Sequence, residues 1–171
     1  MIRFFFALTF CAFCLSAQEP ILGAAIRVQF SPGGKPTAAI VDAVNRAKTA
    51  IRVQAYSFTS APIAEALKKA HQRGIDVQII LDKAQPKQPY TSATFLTNAK
   101  IPVYIDSKHA IAHNKIIVID ANTVITGSFN FTKAAETSNA ENLLIIESPE
   151  LARIYLNNWE QHKQHSSQAK N

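Results

Sequence analysis

Apolar and polar residues follow two different periodicities along the first half of the chain. Short runs rich in β-branched residues predict strands, whereas apolar residues that recur every three or four positions predict amphipathic helices. The predicted order is a strand at 26–30, a helix at 37–47, a strand at 51–55, a helix at 61–73 and a strand at 76–81. Short links favour parallel strands, because each helix can serve as the crossover between two of them. We therefore predict an α/β sandwich in which helices flank a mixed, mostly parallel β-sheet.

The second half of the chain contains shorter elements. The predicted elements are a helix at 91–98, strands at 103–105, 115–119, 124–126 and 142–146, and a helix at 149–161. The strands at 115–119 and 124–126 are close enough in sequence to form an antiparallel hairpin. The polar loop at 82–89 is a candidate rim for a site, and the polar residues from 164 onward predict a frayed tail.

Residues that can carry chemistry gather around this hairpin. His113 and Lys115 are two positions apart where the strand begins, so their side chains project from the same face. By the same parity Asp120 lies on the opposite face, and we interpret it as a structural residue that fixes the turn at 121–122. Residues 127–130, which read Gly-Ser-Phe-Asn, follow the second strand at about the level of His113.

This combination of residue types indicates phosphodiester chemistry. A histidine can attack phosphorus or protonate the leaving oxygen, while lysine, serine and asparagine can hold the charged phosphoryl oxygens. Each residue alone is more often structural, because a lone histidine or a Gly-Ser turn is common in proteins. Their joint spacing changes that balance, since no packing requirement places His113 and Lys115 on one face beside Ser128 and Asn130.

The same residues carry a resemblance to a known family. The pattern reads His113-x-Lys115, then Asp120, then Gly127-Ser128-x-Asn130. It resembles the HKD motif of the phospholipase D superfamily, in which Asp120 and Gly127 would be structural members. Segments 55–59 and 127–136 resemble the small, secreted, single-motif bacterial endonucleases of the Nuc type. The likeness extends over residues 25–162, so it implies a single phospholipase D-like domain.

The resemblance implies a role for each candidate residue. His113 would be the nucleophile or the general acid, Lys115 and Asn130 would bind phosphoryl oxygens, and Ser128 would assist them. Glu141 would accept a hydrogen bond from the other ring nitrogen of His113 and so fix its tautomer. The alternative for Glu141 is a surface charge at the start of a strand.

One copy of the motif implies two chains. The superfamily supplies a histidine pair from two motifs, and the other histidines here, at 71, 109, 162 and 165, lack the motif spacing. The resemblance therefore implies a homodimer in which a two-fold axis brings His113 and its symmetry mate together. The alternative is a monomer that uses water or His109 as the acid.

The N-terminus has the pattern of a secretory signal. Arg3 precedes an apolar run at 4–15, and Ser16 and Ala17 end it. We predict a signal peptide at 1–17, a single domain at 18–171 and a periplasmic or secreted protein. The apolar run is shorter than the roughly 20 residues of a membrane-spanning helix. Stable membrane insertion after cleavage is therefore not expected, although an uncleaved anchor is the alternative.

Composition adds limits on partners and cofactors. The 171 residues include 18 basic and 12 acidic side chains, and the resulting charge of +6 favours a polyanionic partner such as nucleic acid or an anionic membrane surface. Basic charge can also serve solubility alone. Both cysteines, Cys11 and Cys14, fall within the predicted signal. No cofactor or metal is expected, because the mature chain lacks cysteine and its acids are scattered rather than clustered beside a histidine.

Three functions remain to be compared. The leading prediction is a metal-independent endonuclease that hydrolyses DNA, and possibly RNA, non-specifically through a covalent phosphohistidine. The alternative enzyme is a phospholipase D or cardiolipin-type hydrolase that acts on phospholipid phosphodiesters with the same chemistry. A non-catalytic phosphate-binding protein is the third, and the presence of both His113 and Lys115 argues against it.

Overall fold

The computed structural model describes residues 23–87 and 91–169, and the predicted signal at 1–17 lies outside these ranges. Within them, no helix combines the length and the apolar character needed to cross a membrane. The described elements follow the predicted order from the first strand to the last long helix.

A single sheet organises the described chain. Its strands are β1 (Ala25–Ser31), β2 (Ala50–Ala55), β3 (Asp76–Asp82), β4 (Val103–Asp106), β5 (Lys115–Ile119), β6 (Thr123–Gly127), β7 (Glu141–Glu147) and β8 (Ser167–Gln168). They lie in the order β1-β7-β6-β5-β2-β3-β4-β8. The predicted α/β class is confirmed, since helices cover this sheet on both faces.

The sheet is mixed, but the prediction that it is mostly parallel is wrong. Among the strands of the described chain, only β2 with β3 and β3 with β4 pair in parallel. The remaining neighbours are antiparallel. Helical crossovers link only the strands from β2 to β4, whereas β5, β6 and β7 follow one another as adjacent antiparallel strands and β1 is added beside β7.

The helices divide between the two faces. They are α1 (Pro36–Asn45), α2 (Ala61–Gln72), α3 (Ser92–Asn98), α4 (Lys133–Thr137) and α5 (Pro149–His165), with a short 3₁₀ turn at Gln85–Lys87. Residues of the first four share one buried apolar cluster with alternate residues of the sheet. On the opposite face, Ala152 of α5 packs with Val118 and Val124. Trp159 of α5 is fully buried, and its indole N–H donates to the carbonyl oxygen of Val53 at 2.9 Å.

A tight turn joins β5 to β6, and its central residues Asp120 and Ala121 both have positive φ, 54° and 51°. The Asp120 carboxylate accepts hydrogen bonds from the backbone amides of Lys48, Thr49 and Ala50 at 2.8–3.0 Å. Burial alone would raise the pKa of Asp120, but these hydrogen bonds lower it overall. Asp120 is therefore structural, but the partners of its carboxylate lie at 48–50 and not in the turn at 121–122, as had been expected. It fixes the segment that leads into β2, in addition to occupying the hairpin turn.

The chain beyond α5 lies against the sheet. β8 pairs antiparallel with β4, where Gln168 is opposite Tyr104. The amide of Ala169 then donates to the carbonyl oxygen of Val103 at 2.8 Å. The predicted frayed tail is therefore wrong as far as residue 169, because the open edge of β4 offers backbone hydrogen bonds to this polar segment.

At the opposite edge of the sheet, β1 carries exposed apolar side chains. Ile26, Val28 and Phe30 are 56%, 46% and 65% exposed, and their spacing of two places them on one face of the strand. We refer to these three residues as the β1 stripe. It reaches the candidate site, because Phe30 is paired with Asn142 at that end of the sheet.

Candidate active site

His113 and Lys115 lie side by side where β5 begins. The Lys115 Nζ is 3.0 Å from the Nδ1 atom of His113 and donates to the His113 carbonyl oxygen at 2.8 Å. The exposed His113 ring lies against Tyr56, with a distance of 4.4 Å between ring centroids. An ammonium can only donate, so Nδ1 is the acceptor in this contact. Nε2 has no hydrogen-bond partner among the described residues and is the ring nitrogen left for a substrate.

Lys115 is a buried cation beside an exposed imidazole. Lys115 is only 7% exposed, and its Nζ lies 5.2 Å from the centroid of the Tyr56 ring. Burial lowers the pKa of Lys115, and the negative charge of Glu141 acts against that shift. A partly desolvated ammonium lacks some of the hydration that would otherwise compete with an anion. It is therefore suited to bind a phosphoryl oxygen at His113.

The turn after β6 is fixed by β7. The backbone amides of Ser128 and Phe129 both donate to the carbonyl oxygen of Asn142, at 3.1 and 3.2 Å. In return, the Ser128 hydroxyl oxygen accepts hydrogen bonds from the Asn142 backbone amide at 3.0 Å and from its side-chain amide at 3.3 Å. Phe129 is fully buried, so it holds the turn to the core. Ser128 thus fixes the backbone of the site through Asn142, and its assistance to a phosphoryl group stays a prediction.

Two side-chain amides near the motif have buried oxygens without a hydrogen-bond partner in the described chain. They are Oδ1 of Asn130 and Oε1 of Gln54. The Gln54 amide nitrogen donates to Oδ1 of Asn114, the residue between His113 and Lys115, at 3.1 Å. An unsatisfied buried acceptor costs about 1–3 kcal/mol, so two of them together are unusual away from functional sites. Sequence reasoning missed Gln54, although a glutamine in a buried strand is a signal of this kind.

Glu141 is close to the site but does not hold His113. Its Oε1 accepts a hydrogen bond from the side-chain amide of Asn139 at 3.0 Å. No hydrogen bond joins Glu141 to His113 in the described parts of the chain, where the Lys115 ammonium occupies Nδ1 instead. Glu141 acts on Lys115 through its charge. The expected tautomer-fixing contact is therefore not formed in this state of the site.

The end of β2 brings the two halves of the motif together. The Tyr56 amide donates to the carbonyl oxygen of Asn114 at 2.8 Å, which ties this segment to the His113 side. One residue later, the Ser57 carbonyl oxygen accepts from the amide of Phe131 at 3.1 Å, which ties it to the Asn130 side. The polar-aromatic loop at 56–59 thus bridges both parts of the site.

A second cluster of titratable groups, missed by sequence reasoning, lies at the end of β4. The Asp106 Oδ2 atom is 2.7 Å from His162 Nδ1, 3.0 Å from His109 Nδ1 and 3.3 Å from His165 Nε2. Burial would raise the pKa of Asp106, but hydrogen bonds from the three histidines and the Lys108 amide hold it far below its ordinary value. The premise that no acid lies beside a histidine is therefore wrong. The signal of this cluster in the sequence is two pairs of titratable residues that are each spaced by three, Asp106 with His109 and His162 with His165.

Comparison with known proteins finds a family model and several relatives that match the region containing the motif. The family described as cardiolipin synthase, PLD-like domain, matches residues 40–163. The chain is 46% identical over 139 residues to a phospholipase D of Rickettsia felis, which covers 81% of this chain and 70% of that protein. A mitochondrial cardiolipin hydrolase of Mus musculus is 31% identical over 121 residues, which cover 71% of this chain and 55% of that protein.

A solved structure supports the same grouping. The phospholipase D family member Nuc from Salmonella typhimurium superposes with a TM-score of 0.82 and is 38% identical. The match covers 87% of this chain and 100% of that one. The similarity therefore extends over the sheet and both helical layers, well beyond the motif itself.

Proposed function

Because this chain belongs to the phospholipase D-like family of phosphodiesterases, we propose that it is an endonuclease that hydrolyses DNA, and also RNA, without a catalytic metal ion. The observation that carries the proposal is the exposed His113 imidazole held against the buried Lys115 ammonium. The imidazole is a nucleophile that a large substrate can reach, and the ammonium is a fixed positive charge for the phosphoryl group.

The chemistry proceeds in two displacements. Nε2 of His113 forms a bond to phosphorus while the bond from phosphorus to the leaving oxygen breaks, and a general acid gives that oxygen its proton. Attack through Nε2 requires the tautomer with the ring proton on Nδ1. As Lys115 turns from Nδ1 to the phosphoryl oxygens, Nδ1 takes up a proton from solvent and Nε2 gives its proton to solvent. In the proposal Glu141 then accepts the Nδ1–H hydrogen bond. Water finally breaks the phosphohistidine, with the former general acid acting as base.

The general acid in this proposal is His113 of the partner subunit in a homodimer. His109, the alternative acid within one chain, is directed to Asp106 by its Nδ1 at 3.0 Å. The β1 stripe gives independent support, because it is an apolar surface that reaches the site and that a second copy of the chain would cover. A histidine pair near neutral pH can supply one neutral and one protonated ring.

Mixed dimers test this arrangement. Wild-type chain and the His113→Ala variant, combined in equal amounts with random exchange, should retain about one quarter of the activity of the same total amount of wild type. Only dimers with two intact histidines would be active. Independent subunits would instead retain about one half, and that value would contradict the shared site. Native mass spectrometry on the mixture confirms that the dimers have exchanged.

A nucleic-acid substrate fits the charges around the site. Lys108 lies in the loop that leads into His113, and Lys133 follows Asn130 by three residues; both are exposed. A polynucleotide presents phosphates on both sides of the bond that is cut, so it can pair with cations on both sides of His113. The overall charge of +6 and the 38% identity to Nuc support the same substrate.

One observation favours phospholipid as the second candidate. A groove of about 520 Å³ lies between α2 and α3, and its walls include Thr59, Pro62 and the half-exposed ring of Phe95. Thr59 belongs to the loop at 56–59 that bridges the site, so this loop links one wall of the groove to the candidate active site. An acyl chain is the kind of group that an apolar groove accepts. The similarity to the cardiolipin hydrolase supports this alternative.

The substrate is decided by offering both classes to one preparation. Supercoiled plasmid, single-stranded RNA and vesicles that contain cardiolipin are each incubated with the protein in excess EDTA, with His113→Ala as the control. We expect wild type alone to nick the plasmid and cut the RNA, and to leave the vesicles intact. Circular dichroism in the same buffer establishes that the chain stays folded.

Two results would overturn the proposal. Hydrolysis of cardiolipin without cleavage of either nucleic acid would assign the site to phospholipid. Nicking that persists in His113→Ala would show that the histidine is not the reacting group, or that a contaminating nuclease is present. A separate preparation of the variant, purified through a different column sequence, distinguishes these two causes.

A further inference from the structure

The second cluster of titratable groups joins three parts of the fold. Asp106 ends β4 and is fully buried, His109 lies in the loop that leads to His113, and His162 and His165 lie in the last turn of α5. The spacing of three residues places His162 and His165 on one face of that helix. One ligand atom from each of the four residues can be chosen so that all lie within 4.8 Å of one another.

We propose that Asp106, His109, His162 and His165 bind one Zn²⁺ ion as a structural site. Zinc is held tetrahedrally at about 2.0–2.2 Å by histidine nitrogen and carboxylate oxygen, which places neighbouring donor atoms about 3.3 Å apart. The three contacts between the carboxylate oxygen and the ring nitrogens, at 2.7, 3.0 and 3.3 Å, are already at or slightly below that separation. The remaining separations, all within 4.8 Å, would shorten to about 3.3 Å as the rings rotate around the ion.

The donor set selects the class of metal. Three imidazoles and one carboxylate suit zinc or a neighbouring late transition metal, whereas calcium and magnesium prefer sites made of oxygen atoms. Four protein ligands leave no open position, which is the arrangement of structural rather than catalytic zinc. The His109 side chain is 42% exposed and that of His165 is 22% exposed, so the ion can enter from solvent.

The three imidazole rings of this cluster are packed around one carboxylate. The ring centroids of His109, His162 and His165 are 4.8 to 5.2 Å apart. A ring nitrogen from each of them converges on the same oxygen atom, Oδ2 of Asp106. A divalent cation allows neutral rings and an ionised carboxylate to meet at one point, so it accounts for the geometry.

The site would fasten the end of the chain to the sheet. The turn that carries His162 and His165 is followed directly by β8, which pairs with β4. The loop with His109 is held from the other side, because Lys83 Nζ donates to the His109 carbonyl oxygen at 2.8 Å. The ion would therefore stabilise the fold around the approach to His113, and it takes no part in the reaction proposed above.

Metal content and thermal stability test the site without measuring catalysis. The protein is prepared without a polyhistidine tag, stripped with chelator, desalted and titrated with ZnCl₂. We expect about one Zn²⁺ per chain by plasma mass spectrometry. We also expect a rise in Tm of about 5–10 °C at a hundredfold excess over Kd. Co²⁺ in place of zinc should give the intense visible absorption of tetrahedral coordination.

Matched variants make the result specific. His109→Asn and His165→Asn should each weaken zinc binding by at least about 100-fold, since each removes one of four ligands. His71 lies in α2 outside the cluster, so the His71→Asn variant should bind zinc like wild type. Circular dichroism without metal verifies that each variant is folded. Equal binding by all variants, or no binding and no shift in Tm for wild type, would overturn the proposal whatever the outcome of the nuclease assays.

Discussion

Replacing His113 with alanine is expected to reduce phosphodiester hydrolysis by about 10⁴-fold or more, because it removes the group that bonds to phosphorus. The side chain is exposed, and its contacts are the Tyr56 ring and the Lys115 ammonium. Lys115 can keep its hydrogen bond to the backbone carbonyl oxygen of residue 113, so the fold should not suffer. Cleavage of a small chromogenic phosphodiester under single-turnover conditions measures the loss directly. It also removes any contribution from the binding of a long polymer.

His71→Ala is the matched control for this variant. His71 lies in the last turn of α2, away from the motif, so it should keep wild-type activity. A His113→Ala protein whose rate of hydrolysis remained within about tenfold of wild type would contradict the assignment of His113 as nucleophile. An equal loss in both variants would point to a general effect of preparation or stability.

Gly127→Ala is expected to destabilise the protein by about 3 kcal/mol or more and to lower Tm by about 6–12 °C. Gly127 has φ of +144°, a conformation that alanine resists. A Cβ at this position would also lie 2.3 Å from the carbonyl oxygen of Asn142 and 2.9 Å from its Oδ1. The Asn142 carbonyl oxygen accepts from the Ser128 amide, and the Asn142 side-chain nitrogen donates to the Ser128 hydroxyl, so activity should fall together with stability. Thermal and urea denaturation at matched protein concentration provide the measurement.

Gly74→Ala separates the two causes. Gly74 also has positive φ, +88°, but a Cβ there would meet nothing within 4 Å. It should therefore cost only the backbone strain, about 1 kcal/mol. A Gly127→Ala protein no less stable than Gly74→Ala would show that β7 can move away from the turn, and that the contact with Asn142 does not fix the site.

The site could be predicted where it depends on local spacing. The neighbouring positions of His113 and Lys115 follow from side-chain alternation along one strand. Asp120 is separated from them for another reason, because it lies beyond the far end of β5 in a turn with positive φ. Most strands and helices were also predicted, because their apolar periodicity is written within a few consecutive residues.

What could not be predicted depends on contacts between distant segments. The mostly parallel sheet was a wrong prediction because the partners of β1 and β5 are chosen by the whole fold, and no local pattern reports them. The histidine cluster was missed for the same reason. Asp106 and His109 meet His162 and His165 only after α5 has packed on the sheet. The predicted hydrogen bond between Glu141 and His113 is absent for a different reason, because the Lys115 ammonium contacts the same ring nitrogen.

The position of β1 at the edge beside β7 has a consequence for how the chain folds. Ala25 pairs with Glu147, so the first described strand can pair only after most of the described chain has been synthesised. Until then the backbone groups that bond to β7 remain unpaired beside the β1 stripe, which stays exposed after folding as well, so this segment is prone to pair with another chain during synthesis. Such long-range pairing also slows folding, since the loop that it closes contains β2 to β6. Among the described strands, β1 is therefore the one that a chaperone for extended segments would protect longest.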